Sequence, residues 1–379
     1  MSKRDLTTGS IPQILVRLAL PMMLGIMSMV AFNLIDTYFV GKLGKKELAA
    51  LTFTFPIILI VFSIIQGLGM GATALIAKSI GRNDRKKAAR ETTDSIILTL
   101  ILTGSFVIIG LLTIGQVLKI LGADGETAAM AKEYLQIWFI ALFFVSAPFV
   151  GNSAIRATGD TQTPTYIMLF AVLINAILDP ILIFGYFGLP AMGLRGAAIA
   201  TAISRGMTMI FSFYILIKRE KLITFEIPSR QVIIGCWKSI LYIALPSGLA
   251  RLVVPIATGV ITAMLASYGE FAVAAYGVGS RIEFLANSVI FALAACIGPF
   301  VGQNLGKGRL DRVRESVKLS NRFAIVWGLV AWGLLALGAR TIAAVFNSHE
   351  EVVNTVQLFL WVVWTARNPQ YYQQQPQYY

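Results

Sequence analysis

Apolar runs of about 20 residues recur along the whole chain, each long enough to cross a ~30 Å hydrocarbon core as a helix. Short polar stretches separate them. The runs are continuous rather than alternating, which excludes the strands of a membrane barrel. A helix satisfies its own backbone in lipid. The pattern predicts helices at about 14–40, 49–76, 94–114, 133–155, 165–187, 195–217, 238–265, 273–300 and 320–345, with a tenth starting near 352. The polar start Met1–Gln13 precedes a run too long for a secretory signal, so that run is read as a retained first helix.

The pattern repeats. Ala19-Leu20-Pro21 recurs as Ala244-Leu245-Pro246, a shift of 225 residues. At the same shift Gly44 meets Gly269, Ala49-Ala50 meet Ala274-Ala275, and GRNDRKKAAR at 81–90 meets GKGRLDRVRE at 306–315. Six helices per unit keep both copies in one membrane orientation, so the halves relate by an axis along the membrane normal. That is a recurring transporter design, with a cleft between two bundles and alternating access. The expected fold class is an all-α polytopic membrane protein of two pseudo-symmetric six-helix bundles. Residues 1–217 form the N-terminal lobe, 218–237 a cytoplasmic linker, and 238–365 the C-terminal lobe with helices 7–9 and the start of helix 10. The second bundle is expected to be incomplete, because the chain ends at Tyr379 partway through the tenth helix. Residues 366–379 are Gln- and Tyr-rich and unlike a membrane span, and they read as an aberrant low-complexity tail, either disordered or left by a truncation or frameshift.

Composition agrees with the pattern. Hydrophobic residues make up 56% and charged ones 13%, about half the charge of a soluble domain. The net charge of +13 raises the possibility of nucleic acid, but its position argues otherwise. With the N-terminus inside, twenty Lys and Arg fall on the cytoplasmic side and six on the other. That bias orients the chain with a cytoplasmic N-terminus. The basic stretch Arg82–Arg90 then reads as a contact with anionic inner-leaflet lipids. Cys236 and Cys296 lie far apart and suggest neither a disulfide framework nor a metal site.

Charges inside a membrane are costly, about 2.5–3.5 kcal/mol each on insertion scales, and therefore informative. Asp36 lies deep in helix 1 with Asn33 one turn before it, and Asp179 lies in helix 5 with Asn175 at i−4. Pro180 follows and removes a backbone donor, freeing a carbonyl of the preceding turn. Carboxylates, amides and free carbonyls are hard oxygen ligands for a small cation. Two neighbouring buried carboxylates can equally share and release a proton. Asn33, Gln66, Arg205, Arg251 and Asn287 are candidates for the substrate cleft, with either arginine able to pair with Asp179 or with the other.

Enzymatic signatures are lacking. The one histidine, His349, falls in an expected extracellular loop, and no phosphate-cradling Gly-Lys-Ser/Thr loop occurs. The reading is not an enzyme, with no cofactor beyond Na⁺ or H⁺ as a coupling ion.

The stretches NLIDTYFVGKLG at 33–44, RATGDTQTP at 156–164, NAILDPILIFG at 175–185, GAAIAT at 196–201 and VGQNLGKG at 301–308 resemble the multidrug and toxic compound extrusion (MATE) transporters, most closely the prokaryotic DinF-like branch. The likeness covers about residues 10–365. It implies two six-helix lobes and efflux of small organic, cationic or amphipathic compounds against entering Na⁺ or H⁺. It also implies a cation site in the N-terminal lobe, here Asp36, Asn175, Asp179, Thr201 and the Ala197 carbonyl. These would hold the metal ion if Na⁺ is the coupling ion. A multi-pass inner-membrane monomer, with the bilayer and a small molecule as partners and no nucleic acid, follows as the expectation. Substrate would enter a cleft opening inward, and cation binding would drive the return. The alternative is a flippase for a lipid-linked oligosaccharide or peptidoglycan precursor, kept open by Arg205 and Arg251.

Overall fold

The computed structural model describes residues 5–226, 228–268, 270–346 and 350–367. The expectations for Gly269, His349 and nearly all of the 366–379 tail lie outside them. Among the described residues the regular elements are helical: α1 (Ile11–Gly41), α2 (Lys45–Gly81), α3 (Arg85–Ile120), α4 (Gly125–Ala157), α5 (Gln162–Phe184), α6 (Gly193–Tyr214), α7 (Arg230–Ala266), α8 (Glu270–Gly306), α9 (Leu310–Phe346) and α10 (Glu350–Arg367). Nine of these are long and apolar enough to cross a membrane.

The helices outrun the expected spans for a simple reason of length. α2, α7, α8 and α9 each hold 37 residues, about 55 Å at 1.5 Å per residue, against a core of ~30 Å. Their polar ends therefore project into water as helix. Arg85–Arg90, read as part of a basic loop, are the first turns of α3, where the Asp84 side chain accepts from the Lys87 amide at 2.9 Å. α7 likewise begins at Arg230, inside the stretch 218–237 read as linker. α5 stops earlier than expected, at Phe184, because Gly185 takes a left-handed conformation (φ +77°) that only glycine adopts cheaply.

The duplication is visible in the elements. α2 and α8 begin and end 225 residues apart, and α3 and α9 begin with the same offset. Within the N-terminal part α1 packs on α5, α5 on α6, α6 on α4, and α4 on both α2 and α3. α8, α9 and α10 pack mutually, as their counterparts α2, α3 and α4 do.

The two sets of helices meet along α2–α7, α2–α8 and α1–α8. The contact is concentrated at one end. There Ile11–Met22 pack on Ala292–Val301, and Gly71 of α2 lies against the Ile240 carbonyl. Gly81 and Gly306 mark the tightest crossing. A Cβ on Gly81 would run into the Gln303 carbonyl, and one on Gly306 into the Lys78 carbonyl. Toward the other end the cores are separate. Val40, Leu51 and Leu135 belong to a cluster built from α1–α6 and the α3–α4 turn, and Ala275, Ile282 and Leu335 to one built from α8–α10. The seam is thus closed at the end carrying the basic stretches 82–90 and 307–318.

Candidate functional site

Three helices bring the acids together. Thr165 of α5 donates its hydroxyl to the Pro21 carbonyl of α1 at 2.8 Å, next to Gly25, whose small size admits the Thr165 side chain. α6 is drawn onto α5 where Gly196 faces the Leu182 carbonyl, which also accepts from the Met192 amide at 3.0 Å. This crossing carries Ala197 and Thr201, buried on α6, toward Asn175 and Asp179, which are fully buried on α5. α5 runs unbroken through Pro180, so the missing donor deprives the Ala176 carbonyl of its usual partner without ending the helix.

Within this cluster the Asn175 amide donates to Asp179 Oδ1 at 3.1 Å. The i,i+4 spacing puts both side chains on one face. Asp36 enters from α1 with 9% of its surface exposed, and the two carboxylates are close enough to feel each other's charge. Four oxygens here lack any hydrogen-bond partner: Asp36 Oδ1, Asn175 Oδ1, Asp179 Oδ2 and Thr201 Oγ1. They are four of the seven such buried atoms among the described side chains, so the deficit is local rather than scattered. A buried acceptor left unpaired costs about 1–3 kcal/mol. Four such oxygens on three mutually packed helices make a candidate cradle that a proton, a water or a small hard cation would satisfy. Two carboxylates, an amide oxygen and a hydroxyl suit an alkali cation.

Two contacts near the acids were not anticipated. Tyr134 of α4, 4% exposed, lies within the field of both Asp36 and Asp179. Its position beside Lys132 and Glu133 at the start of the run hid the signal, since a buried phenol seeks a polar partner. Phe32, one turn before Asp36, carries the Arg205 guanidinium over its ring, 4.2 Å from the centroid. Arg205 also faces the charge of Asp36.

The remaining cleft candidates are spread over separate elements. Asn33 is exposed and donates back to the Met29 carbonyl at 3.1 Å, so it does not share the buried face of Asp36 as the one-turn spacing suggested. Three residues advance a helix by 300°, and the 60° remainder crosses the edge of the buried stripe. Arg251 of α7 is exposed and its Nη2 lies 3.6 Å from Met70 Sδ of α2, not on Asp179. Arg205 stacks on Phe32 rather than pairing with Asp179 or Arg251. Gln66 is half-buried on α2, and Asn287 is buried on α8.

The family motifs outside the acids have structural partners. In RATGDTQTP the Asp160 carboxylate accepts from the Thr163 amide and hydroxyl at 3.0 and 2.7 Å, capping α5. In VGQNLGKG, Gln303 donates to the Ala157 carbonyl at 2.8 Å and accepts from the Leu6 amide at 3.3 Å, while Asn304 donates to the Leu6 carbonyl at 3.1 Å. This motif stitches α8 to α4 and to the arm before α1.

Residues 21–181 and 246–369 match the family model MatE. The FAD transporter of Shewanella oneidensis is 34% identical over 370 residues, covering 97% of this chain and 81% of that protein. The multidrug export protein MepA of Staphylococcus aureus is 29% identical over 359 residues, covering 92% and 76%. Among solved structures, a mutant of the Vibrio cholerae MATE transporter VcmN superposes with a TM-score of 0.89 at 28% identity, over 96% of this chain and 82% of that one.

Proposed function

This chain belongs to the MatE family, and we propose that it is an antiporter exporting small organic compounds against entry of Na⁺ or H⁺ at the Asp36–Asp179 site. One observation carries the reading. Four unpartnered buried oxygens stand on the mutually packed α1, α5 and α6 of a membrane-spanning bundle, where an unused carboxylate would be a pure cost. Cationic and amphipathic compounds are the proposed cargo, in line with the multidrug exporters among its relatives. The protein is a multi-pass membrane protein; placement in the inner membrane as a monomer, with the N-terminus in the cytoplasm, is part of this proposal.

The mechanism follows from where the seam is shut. With the basic end in the cytoplasm, the closed end faces inward and the separated cores face outward. In that state a cation from outside reaches Asp36, Asn175, Asp179 and Thr201. Its charge compensates two carboxylates, leaving the Arg205 guanidinium on Phe32 without the anionic field of Asp36. α1 carries both Asp36 and, near Pro21, the contact with α5, so a change at the acids reaches the seam through one helix. Bending of α1 at Pro21 is the motion this arrangement favours. The Ala197 carbonyl, one turn from Thr201, stands ready as a further oxygen.

A second reading has its own support. Arg251 is exposed at the α2–α7 seam and Arg205 lies near the acids, and both suit an anionic cargo. FAD, the cargo named for the Shewanella relative, and a lipid-linked sugar precursor both fit that chemistry. Reconstituted vesicles containing this chain separate the readings. With an imposed Na⁺ or H⁺ gradient, uphill movement of ethidium that stops in Asp36→Asn supports the cationic exporter. Movement of FAD alone, lost in Arg251→Ala, supports the anionic one. A gradient that drives neither cargo removes the antiporter reading.

A further inference from the structure

At the basic end, far along the helices from the paired acids, a cavity of about 300 Å³ opens between α2 and α3 on one side and α7 and α8 on the other. Its chemistry is mixed. Lys78, Arg82 and Lys87 stand on its rim, all three exposed. Glu91 lines it from α3 with only 8% of its surface exposed, and its Oε2 has no hydrogen-bond partner. Ser79, buried at the end of α2, stands beside the same carboxylate. Ile243 of α7 and Val301 and Leu305 of α8 supply an apolar wall opposite.

We propose that this cavity binds a phosphoethanolamine group, the shared chemistry of a phosphatidylethanolamine headgroup and the free phosphate ester. Three cations gathered at a helix end and a helix start call for a phosphate, which Lys and Arg bind through charge-assisted bonds. They leave one oxygen of Glu91 unexplained: Lys87 and Arg82 act on its charge through space, yet its Oε2 accepts no hydrogen bond. A primary ammonium two carbons from the phosphate donates N–H to that oxygen while the phosphate stays on the rim. A choline headgroup has no N–H to give, and a glycerol headgroup brings no charge. The buried acid is therefore the selector and the basic rim the anchor. Because α7 and α8 form the far wall, the cavity is complete only while the seam at this end is closed, so its ligand stabilises that state.

The test uses the purified full chain stripped of lipid, with native mass spectrometry to read binding of short-chain phosphatidylethanolamine, phosphatidylcholine and phosphatidylglycerol. The ethanolamine lipid is expected to bind about tenfold tighter than the choline lipid of equal chain length, the worth of one charge-assisted hydrogen bond. Glu91→Gln is expected to erase that preference, and Arg82→Ala to weaken all three lipids together. Competition by soluble phosphoethanolamine identifies the headgroup alone as the ligand; binding of the lipid without such competition assigns part of the affinity to the acyl chains. Equal binding of ethanolamine and choline lipids to the unaltered chain overturns the proposal without reference to any variant. So does a preference that survives in Glu91→Gln. Transport need not be measured, so the result is independent of the efflux reading.

Discussion

Arg219, in the short π-helical turn that continues α6, donates to the Asp160 carboxylate at 2.6 Å across 59 residues of sequence. The same guanidinium reaches Thr163 Oγ1 at 3.0 Å and Glu220 Oε1 at 2.8 Å. Asp160 in turn caps α5, so one arginine ties the α4–α5 turn to the end of α6. Asn175 and Asp179 of the candidate site sit on α5, and the clamp fixes the ends of α5 and α6 against each other. Asp160 and Thr163 of the GDTQTP stretch thus have structural partners.

Asp160→Ala is expected to lower the stability of the detergent-solubilised protein by about 0.5–2 kcal/mol, the cost of an uncapped helix start and a lost ion pair with an exposed arginine. Arg219→Ala should cost a similar amount. The double variant should cost little more than either alone, because both remove one interaction. Thermal or denaturant unfolding of the four proteins gives the cycle, and full additivity would show that the clamp is not cooperative.

Asp36→Asn and Asp179→Asn should each reduce gradient-driven efflux at least about tenfold while leaving the fold intact, since each is isosteric and the site already lacks partners. Sodium at a hundred times its dissociation constant should raise the stability of the unaltered chain by about 2.7 kcal/mol through selective binding to the folded state. Neither variant should show that gain. A chain indifferent to Na⁺ but losing efflux in both variants would identify the proton as the coupling ion.

Gly81→Val should force α2 and α8 apart, because a side chain there collides with the Gln303 backbone, which cannot yield as a flexible side chain would. The expected result is a shift away from the state closed at the basic end. Spin labels at Lys86→Cys and Lys307→Cys, both exposed at that end, should lie farther apart with Gly81→Val than in the parent, and an unchanged distance would show that the crossing yields.

The arm before α1 should detach in acid. Burial works to push the Asp5 carboxyl up, but bonds from the Thr7 amide and hydroxyl and from Thr8, with Lys307 nearby, outweigh it and hold the carboxyl below 3.8. A depressed value means that the contribution is present above pH ~3.8 and fades as pH falls through the folded value. Cleavage of the arm by an acid-active protease should rise as pH drops from 5 to 3, and in Asp5→Asn it should already be high at pH 5. Leu6 is fully buried beneath this turn, so a label there reports the same opening.

Much of this molecule was legible from the order of its residues. A hydrocarbon core admits only long apolar helices, so the nine described spans follow from run length. The duplication follows from matching residues 225 apart, and it returns as equal offsets of α2 and α8. Asp36 and Asp179 announced themselves because a charge in lipid carries a cost that needs a reason. What the chain order did not hold was rotation. Whether Asn33 turns inward beside Asp36 or outward, whether Arg205 meets Asp179 or lies on Phe32, and that Tyr134 stands near both acids depend on how each helix is turned about its axis. That angle is set by contacts between residues distant in sequence, such as Gly196 on Leu182 and Thr165 on Pro21. The closing of the seam by Gly81, Gln303 and Gly306 belongs to the same class. A glycine written in one helix becomes a crossing only when the backbone of another lies against it.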